Sequence, residues 1–136
     1  MIGQVVSHYR VLEKLGEGGM GEVYLAEDTS LERKVALKFL PPRLQDDEIA
    51  HRRFLREAKS AAGLDHPYIC NIHEVGETDE GQDFICMEYV EGLTLQDKLT
   101  DGPFPLKEAL QIATEVAEAL EEAHERGIVH RDVKPS

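Results

Sequence analysis

The sequence has no tryptophan, only two cysteines, and 6% aromatic residues in 136. Cys70 and Cys86 are too few for a disulfide scaffold, and their spacing is not that of a zinc site. No apolar run approaches the roughly 18–20 residues that a membrane span needs. Residues 1–10 lack the basic-then-apolar order of a secretory signal. Both cysteines are therefore expected to be buried, reduced thiols in a cytosolic setting. Positive charge is scarce in one half. Residues 1–60 carry 10 Lys/Arg and 10 Asp/Glu, whereas residues 61–136 carry 5 and 17, which accounts for the whole net charge of −12. This balance argues against nucleic acid as a partner, because binding a phosphate backbone needs a basic patch. The acidic half is read as a solvated face, although it would also steer basic peptides. Internal repeats and low-complexity segments are absent.

What is present is a length typical of one domain, with 41% apolar residues, enough to bury a core. Its organising stretch is Gly16-Glu17-Gly18-Gly19-Met20-Gly21-Glu22-Val23, with four glycines in six residues. Such clustering costs backbone entropy, and it marks a tight turn or close approach of backbone to a ligand. Peptide N–H groups without a neighbouring Cβ also suit phosphate oxygens. The flanks decide between folds. Residues 9–15 read as a strand entering the loop, and residues 22–27 alternate like a strand leaving it. A dinucleotide-binding loop would pass from strand directly into helix, so that reading is disfavoured.

Residues 34–40 form a third strand, ended by Pro41-Pro42. Residues 46–64 form a helix, with Ala50, Phe54, Glu57, Ala61 and Leu64 on one stripe. Glu57 is the charged exception on that apolar stripe, and Lys38 is the exception inside the third strand. Unpaired buried charge costs several kcal/mol. The pattern leaves two solutions open: Lys38 pairs with Glu57, or Lys38 lies at an edge and snorkels to water. Residues 69–77 and 83–89 make two further strands around a polar turn. Thr94 can cap a short helix ending at Leu99. Residues 106–126 form a long helix with two adjacent apolar stripes, an acidic opposite face, and Gly127 as its terminator. Little in the chain is available to cover those stripes, so the helix is expected to self-associate. His8, His51 and His73 have no supporting pattern and are read as surface or satisfied histidines.

The chain ends in His130-Arg131-Asp132-Val133-Lys134-Pro135-Ser136. This resembles the catalytic loop of eukaryotic-like protein kinases, and the other kinase motifs stand in the right order. Gly16-x-Gly18-x-x-Gly21-x-Val23 resembles the glycine-rich loop, and Val35-Ala36-Leu37-Lys38 resembles the third-strand lysine motif. Phe54-Leu55-Arg56-Glu57-Ala58 resembles the helix C segment, and Met87-Glu88-Tyr89-Val90-Glu91-Gly92 resembles the fifth strand and hinge. Lys134 points to the serine/threonine type, and the wording is most similar to bacterial Hanks-type kinases. The implied class is α+β: a small lobe with a five-stranded antiparallel sheet and helix C, then the first helices of an incomplete, mainly helical large lobe. The implied domains are a tail over 1–8, the small lobe over 9–90, and the start of the large lobe over 91–136.

The resemblance also implies roles. ATP would be bound by Leu15, Gly16, Glu17, Gly18, Gly19, Met20, Gly21, Glu22, Val23, Ala36, Lys38, Glu88 and Val90. Val23 and Ala36 would flank the adenine, and the main chains of Glu88 and Val90 would hold its edge. Glu57 would pair with Lys38, and Met87 would be the gatekeeper. Asp132 would accept the substrate hydroxyl proton, and Lys134 would stabilise the transferring phosphoryl group. Arg131 matches a residue that receives an activation-loop phosphate, while His130 and Ile72 match core positions. ATP and Mg²⁺ are the implied cofactors, with no metal ligand in this chain, since the metal-binding asparagine and aspartate of the family would follow Ser136. The expectation is an N-terminal fragment of a serine/threonine protein kinase, inactive alone; the alternative is a pseudokinase-like binding module. Implied partners are ATP, protein substrates and, in the parent, a second kinase copy, with no nucleic acid and no membrane contact from this segment. The setting implied is cytoplasmic, with any membrane anchor of the parent further downstream.

Overall fold

Alternation of apolar and polar residues on either side of the glycine stretch produces a meander of antiparallel strands. A computed structural model describes residues 1–18 and 21–136. The chain divides into two units, one of Met1–Gly63 with Cys70–Tyr89, the other of Leu64–Ile69 with Val90–Ser136. No helix among the described residues is long and apolar enough to cross a membrane.

The first unit holds strands β1 (Val5–Val6), β2 (Tyr9–Gly18), β3 (Gly21–Asp28), β4 (Arg33–Phe39), β5 (Ile72–Glu77) and β6 (Asp83–Glu88), with helix α1 (Glu48–Ala62). They form one six-stranded antiparallel sheet in the order β1-β2-β3-β4-β6-β5. The sixth strand beyond the expected five is β1, which pairs Val5 with Arg10 and Val6 with Tyr9. Two residues are too short to show an alternating pattern, yet Val6 is buried with the core.

One face of the sheet carries Tyr9, Val11, Tyr24, Leu37, Phe39, Phe84 and Cys86. Its aromatic rings meet edge-on or tilted: Tyr24 with Phe39 at 5.8 Å, and Phe39 with Phe84 at 5.9 Å between centroids. The Tyr9 hydroxyl donates to Glu74 Oε2 at 2.5 Å. Burial, then the neighbouring Cys86 and Glu74, push the Tyr9 phenol far above its ordinary value. The other face receives α1, where Phe54 and Ala58 pack with Leu40 and Ile85. Being covered on both sides, β4 buries Val35, Ala36 and Leu37 in succession, and this explains its unbroken apolar run.

Asp47 caps α1 by accepting from the Ile49 and Ala50 amides at 2.9 and 3.1 Å. The helix starts two residues later than its acidic run implied. Its buried line also differs. Phe54 and Ala58 are buried and Leu55 packs beside them, whereas Glu57 is exposed. Ala50 and Ala61 have little apolar area to lose, so they do not hold the helix to the expected stripe, and the larger Leu55 turns inward instead.

In the second unit, α2 (Leu95–Leu99) begins at a capping box in which the Thr94 side chain accepts from Asp97 N and Asp97 accepts from Thr94 N. Helix α3 (Leu106–Glu125) follows, and Gly127 at φ +76° turns the chain out of it. Of its two apolar stripes, Ala109, Ile112, Val116, Ala119 and Ala123 are at least partly covered. The other is open, with Leu106 76% and Leu110 60% exposed.

Candidate functional site

The first unit supplies a glycine turn and a row of side chains on one sheet face. The turn joins β2 to β3, with Gly18 opposite Gly21, Glu17 opposite Glu22, and Gly16 opposite Val23. Gly19 and Met20, also expected at the phosphates, lie outside the described residues. Gly21 has φ +130°, and a Cβ there would fall 2.0 Å from the Phe39 carbonyl oxygen. No side chain fits that gap. A Cβ on Gly16 would instead meet nothing within 4 Å. The space over Gly16 is free on the protein side, as a ligand approaching the backbone requires. Leu15 sits at an irregularity between Lys14 and Gly16 and is 42% exposed.

Sequence reasoning missed the network at the base of this turn. Lys14 Nζ contacts Glu17 and reaches Glu22 Oε1 at 3.2 Å, and the Tyr24 hydroxyl donates to Glu22 at 2.9 Å. Hydrogen bonds from Tyr24 and then Lys14 hold the Glu22 carboxyl below its ordinary range. Hydrogen bonds to Glu17 and Glu22 raise the Lys14 ammonium. The signal was faint: Lys14 and Glu22 become neighbours only once the hairpin register is known.

Cross-strand register aligns the expected nucleotide residues. Val23 pairs with Lys38, and Lys38 with Ile85. Leu25 pairs with Ala36, and Ala36 with Met87. Residues directly opposite in an antiparallel sheet share a face. Val23, Lys38, Ala36 and Met87 therefore stand in two adjacent rows on the face that also carries α1. Lys38 is half-buried. The structure does not join it to Glu57: Glu57 Oε1 instead accepts from Arg53 Nε at 3.2 Å, one turn earlier on the same helix. The expected pair is open in this arrangement because α1 presents Phe54 and Ala58 to the sheet.

Glu88 ends β6 and is held at three points. Its amide donates to Asn71 O at 2.8 Å, its carboxylate accepts from Asn71 N at 3.1 Å, and its carbonyl accepts from Cys70 Sγ at 3.1 Å. Cys70 is exposed, against expectation, because it lies just before β5 rather than inside the sheet; Cys86 is buried.

The second unit carries Val90, which is 69% exposed, and the loop 130–136. Arg131 takes φ +66°, a left-handed conformation that non-glycine residues adopt at a cost of about 1–2 kcal/mol. After that turn, Asp132 N donates to His130 Nδ1 at 3.1 Å, and Lys134 Nζ reaches Asp132 Oδ2 at 3.1 Å. Asp132 and Lys134 are thus brought together, a carboxylate beside an ammonium, both exposed. His130 is exposed as well, so its ring serves the loop backbone and not a core. Pro135 O accepts from Gln96 N at 3.0 Å, which ties the loop to the start of α2. Among the described residues no group of three or more His, Cys, Asp or Glu side chains is arranged to hold a metal ion.

A glycine turn between strands, a lysine beside it on the sheet face, and a His-Arg-Asp-x-Lys loop after the helices are the features of a protein-kinase-like domain. The family profile described as "Protein kinase domain" matches residues 9–136, and the chain belongs to that family. Within it, the chain is 48% identical over 137 residues to the serine/threonine-protein kinase PrkC of Bacillus subtilis, covering 99% of this chain and 21% of that protein. It is 45% identical over 132 residues to PknB of Mycobacterium leprae, covering 94% of this chain and 21% of that protein. A crystal structure of the Mycobacterium tuberculosis PknI kinase domain superimposes with a TM-score of 0.83 at 42% identity, covering 99% of this chain and 55% of that one. The similarity is to bacterial Hanks-type serine/threonine kinases. The chain spans about a fifth of the length of the PrkC and PknB relatives.

Proposed function

We propose that this chain is part of an ATP-dependent serine/threonine protein kinase and carries residues of its nucleotide site and of its transfer site. The observation that carries this reading is the register that sets Val23, Ala36, Lys38 and Met87 on one face beside the glycine turn. Val23 and Ala36 offer apolar surface to an adenine ring. Lys38 offers a fixed positive charge to the α- and β-phosphates, and the turn from Gly16 to Gly21 offers backbone N–H groups to the others. The Glu88 carbonyl and the Val90 backbone offer hydrogen bonds to the adenine edge. Glu57 pairs with Lys38 in the nucleotide-bound state. Asp132 takes the proton of the attacking serine or threonine hydroxyl, and Lys134 offsets charge on the phosphoryl oxygens. Mg²⁺ is the accompanying cofactor of this reading, and when bound it would supply further charge neutralisation. The setting is cytoplasmic, and the partners are ATP, protein substrates and a second kinase copy.

The test uses the longest reading frame that contains this chain. Wild-type protein is expected to transfer phosphate from ATP to serine or threonine of a general protein substrate, read by phosphopeptide mass spectrometry. Lys38→Met and Asp132→Ala are each expected to lower that rate by about 10²–10⁴. Folded variants with unchanged rates overturn the assignment. ATP binding without transfer by the wild type supports instead a pseudokinase-like binding module, a reading favoured by the open Lys38–Glu57 pair.

A further inference from the structure

Asp83 is one of two buried charged residues among those described, at 5% exposure. The other, Asp28, is accounted for by the turn after β3, where it accepts from the Ser30 and Leu31 amides. Asp83 stands at the start of β6, where its Oδ2 meets Nδ1 of His51 on α1. A buried carboxylate without a partner costs several kcal/mol, so this contact is an integral part of how α1 docks. It is also the polar complement to the two buried residues of the helix, Phe54 and Ala58.

Helix geometry then sets His51 and Glu57 against each other. At about 100° per residue, His51 lies roughly 60° to one side of Phe54, the side of Ala58 and Leu55, and Glu57 lies roughly 60° to the other. Drawing His51 onto Asp83 turns the Ala58 edge toward the sheet and the Glu57 edge away from it. The observed burial follows that sense: Ala58 is buried, Leu55 packs inward, and Glu57 is exposed and bound to Arg53. β6 carries the connection to the site. Asp83, Ile85 and Met87 alternate onto one face, Ile85 packs with Phe54 and Ala58 and pairs with Lys38, and Met87 pairs with Ala36.

We propose that His51 and Asp83 form a latch that holds α1 in the rotation where Glu57 faces away from Lys38, so that opening the latch favours the Lys38–Glu57 pair. His51 and Asp83 are positioning residues, acting through the helix and not on a substrate. The proposal rests on the reading of Lys38 and Glu57 as partners in the nucleotide-bound state. It differs from a purely structural role in sign, because a strut that is removed lowers activity and a latch that is opened raises it.

The experiment compares wild type, His51→Ala, His51→Gln and Asp83→Asn in the full-length chain, each checked for folding by circular dichroism. A zero-length carbodiimide crosslinker joins an amine and a carboxylate only when they touch, and the Lys38–Glu57 product is measured by peptide mass spectrometry. That product is expected to rise about threefold or more in the three variants, the scale of a partly exposed polar contact. In phosphate-transfer assays kcat/KM for ATP is expected to rise in parallel, and the gain is expected to vanish when Glu57→Gln is added. Folded variants with unchanged or lower crosslinking overturn the latch. A wild type without transfer activity contradicts the kinase reading but leaves the crosslink result to decide the latch. His51→Gln serves where His51→Ala or Asp83→Asn does not fold.

Discussion

The two units of this chain meet their chemistry in opposite ways. In the first, the side chains expected at the nucleotide are set by a sheet whose interior is closed around Phe39, Phe84, Leu37, Val11, Val35 and Cys86. In the second, Asp132 and Lys134 are 73% and 57% exposed, in a loop held by the Gln96 N to Pro135 O hydrogen bond and by the bond from Asp132 N to the His130 ring. Among the described residues, the buried apolar residues outside the first unit are Leu64 and Ala123. Position in the first unit is therefore a property of cross-strand register and core packing. In the second it is a property of local turns, with one stripe of α3 still open along Leu110, Ala113 and Ala117.

The largest effect that would sharpen this contrast is a core truncation. The Phe84 ring sits so close over Gly76 that a Cβ there would lie 2.5 Å from it. Phe84→Ala is expected to cost about 3–5 kcal/mol, read from urea midpoints. Leu110→Ala in the open stripe is expected to cost no more than about 0.5 kcal/mol. Equal losses would erase the distinction between the units.

A smaller effect separates two glycines of the left-handed region. Gly21→Ala puts a Cβ against the Phe39 carbonyl as well as straining φ, and is expected to cost about 3 kcal/mol. Gly127→Ala meets nothing within 4 Å, so backbone strain alone acts, at about 1–2 kcal/mol. Thermal melts of the two variants check the order, and a reversal would show that close approach does not govern the glycine turn.

The smallest effect is a pH dependence confined to the first unit. Burial alone would push the Asp28 carboxyl up, but hydrogen bonds from Leu31 and Ser30, with His8 and Arg33 nearby, hold it below its ordinary range. A carboxyl lowered by folding adds stability above its unfolded pKa of about 4, and this is lost as pH falls through the folded value. Asp28→Asn is expected to lower the melting temperature by a few degrees near neutrality and to flatten the decline of stability in acid. An unaltered acid limb would show that the lowered carboxyl does not contribute to folding.

Much of this was legible because strand alternation and glycine spacing are local signals. The strands around Gly16 to Gly21, the helix through Phe54 and the Thr94 cap follow from neighbours in sequence. The misreadings share one cause, which is that partners distant in sequence decide rotation and register. Periodicity placed Glu57 on the buried stripe because Ala50 and Ala61 read as apolar, although they anchor little. His51 offered no pattern, since its partner Asp83 lies on another element. Lys14 and Glu22 meet only across the hairpin.

The contrast between the two cysteines has a practical consequence. Cys86 is sealed in the core and Cys70 is open to solvent, with its sulfur on the Glu88 carbonyl. In this chain a thiol-reactive fluorophore would therefore attach at a single place, behind the strand end proposed to meet the adenine. Partial desolvation of its sulfur against the chain, then Glu88, raises the Cys70 thiol above its ordinary value, so labelling should quicken as the buffer is made more alkaline. A dye at that position, followed during titration with ATP, would test the proposed nucleotide site by emission alone, without any transfer of phosphate.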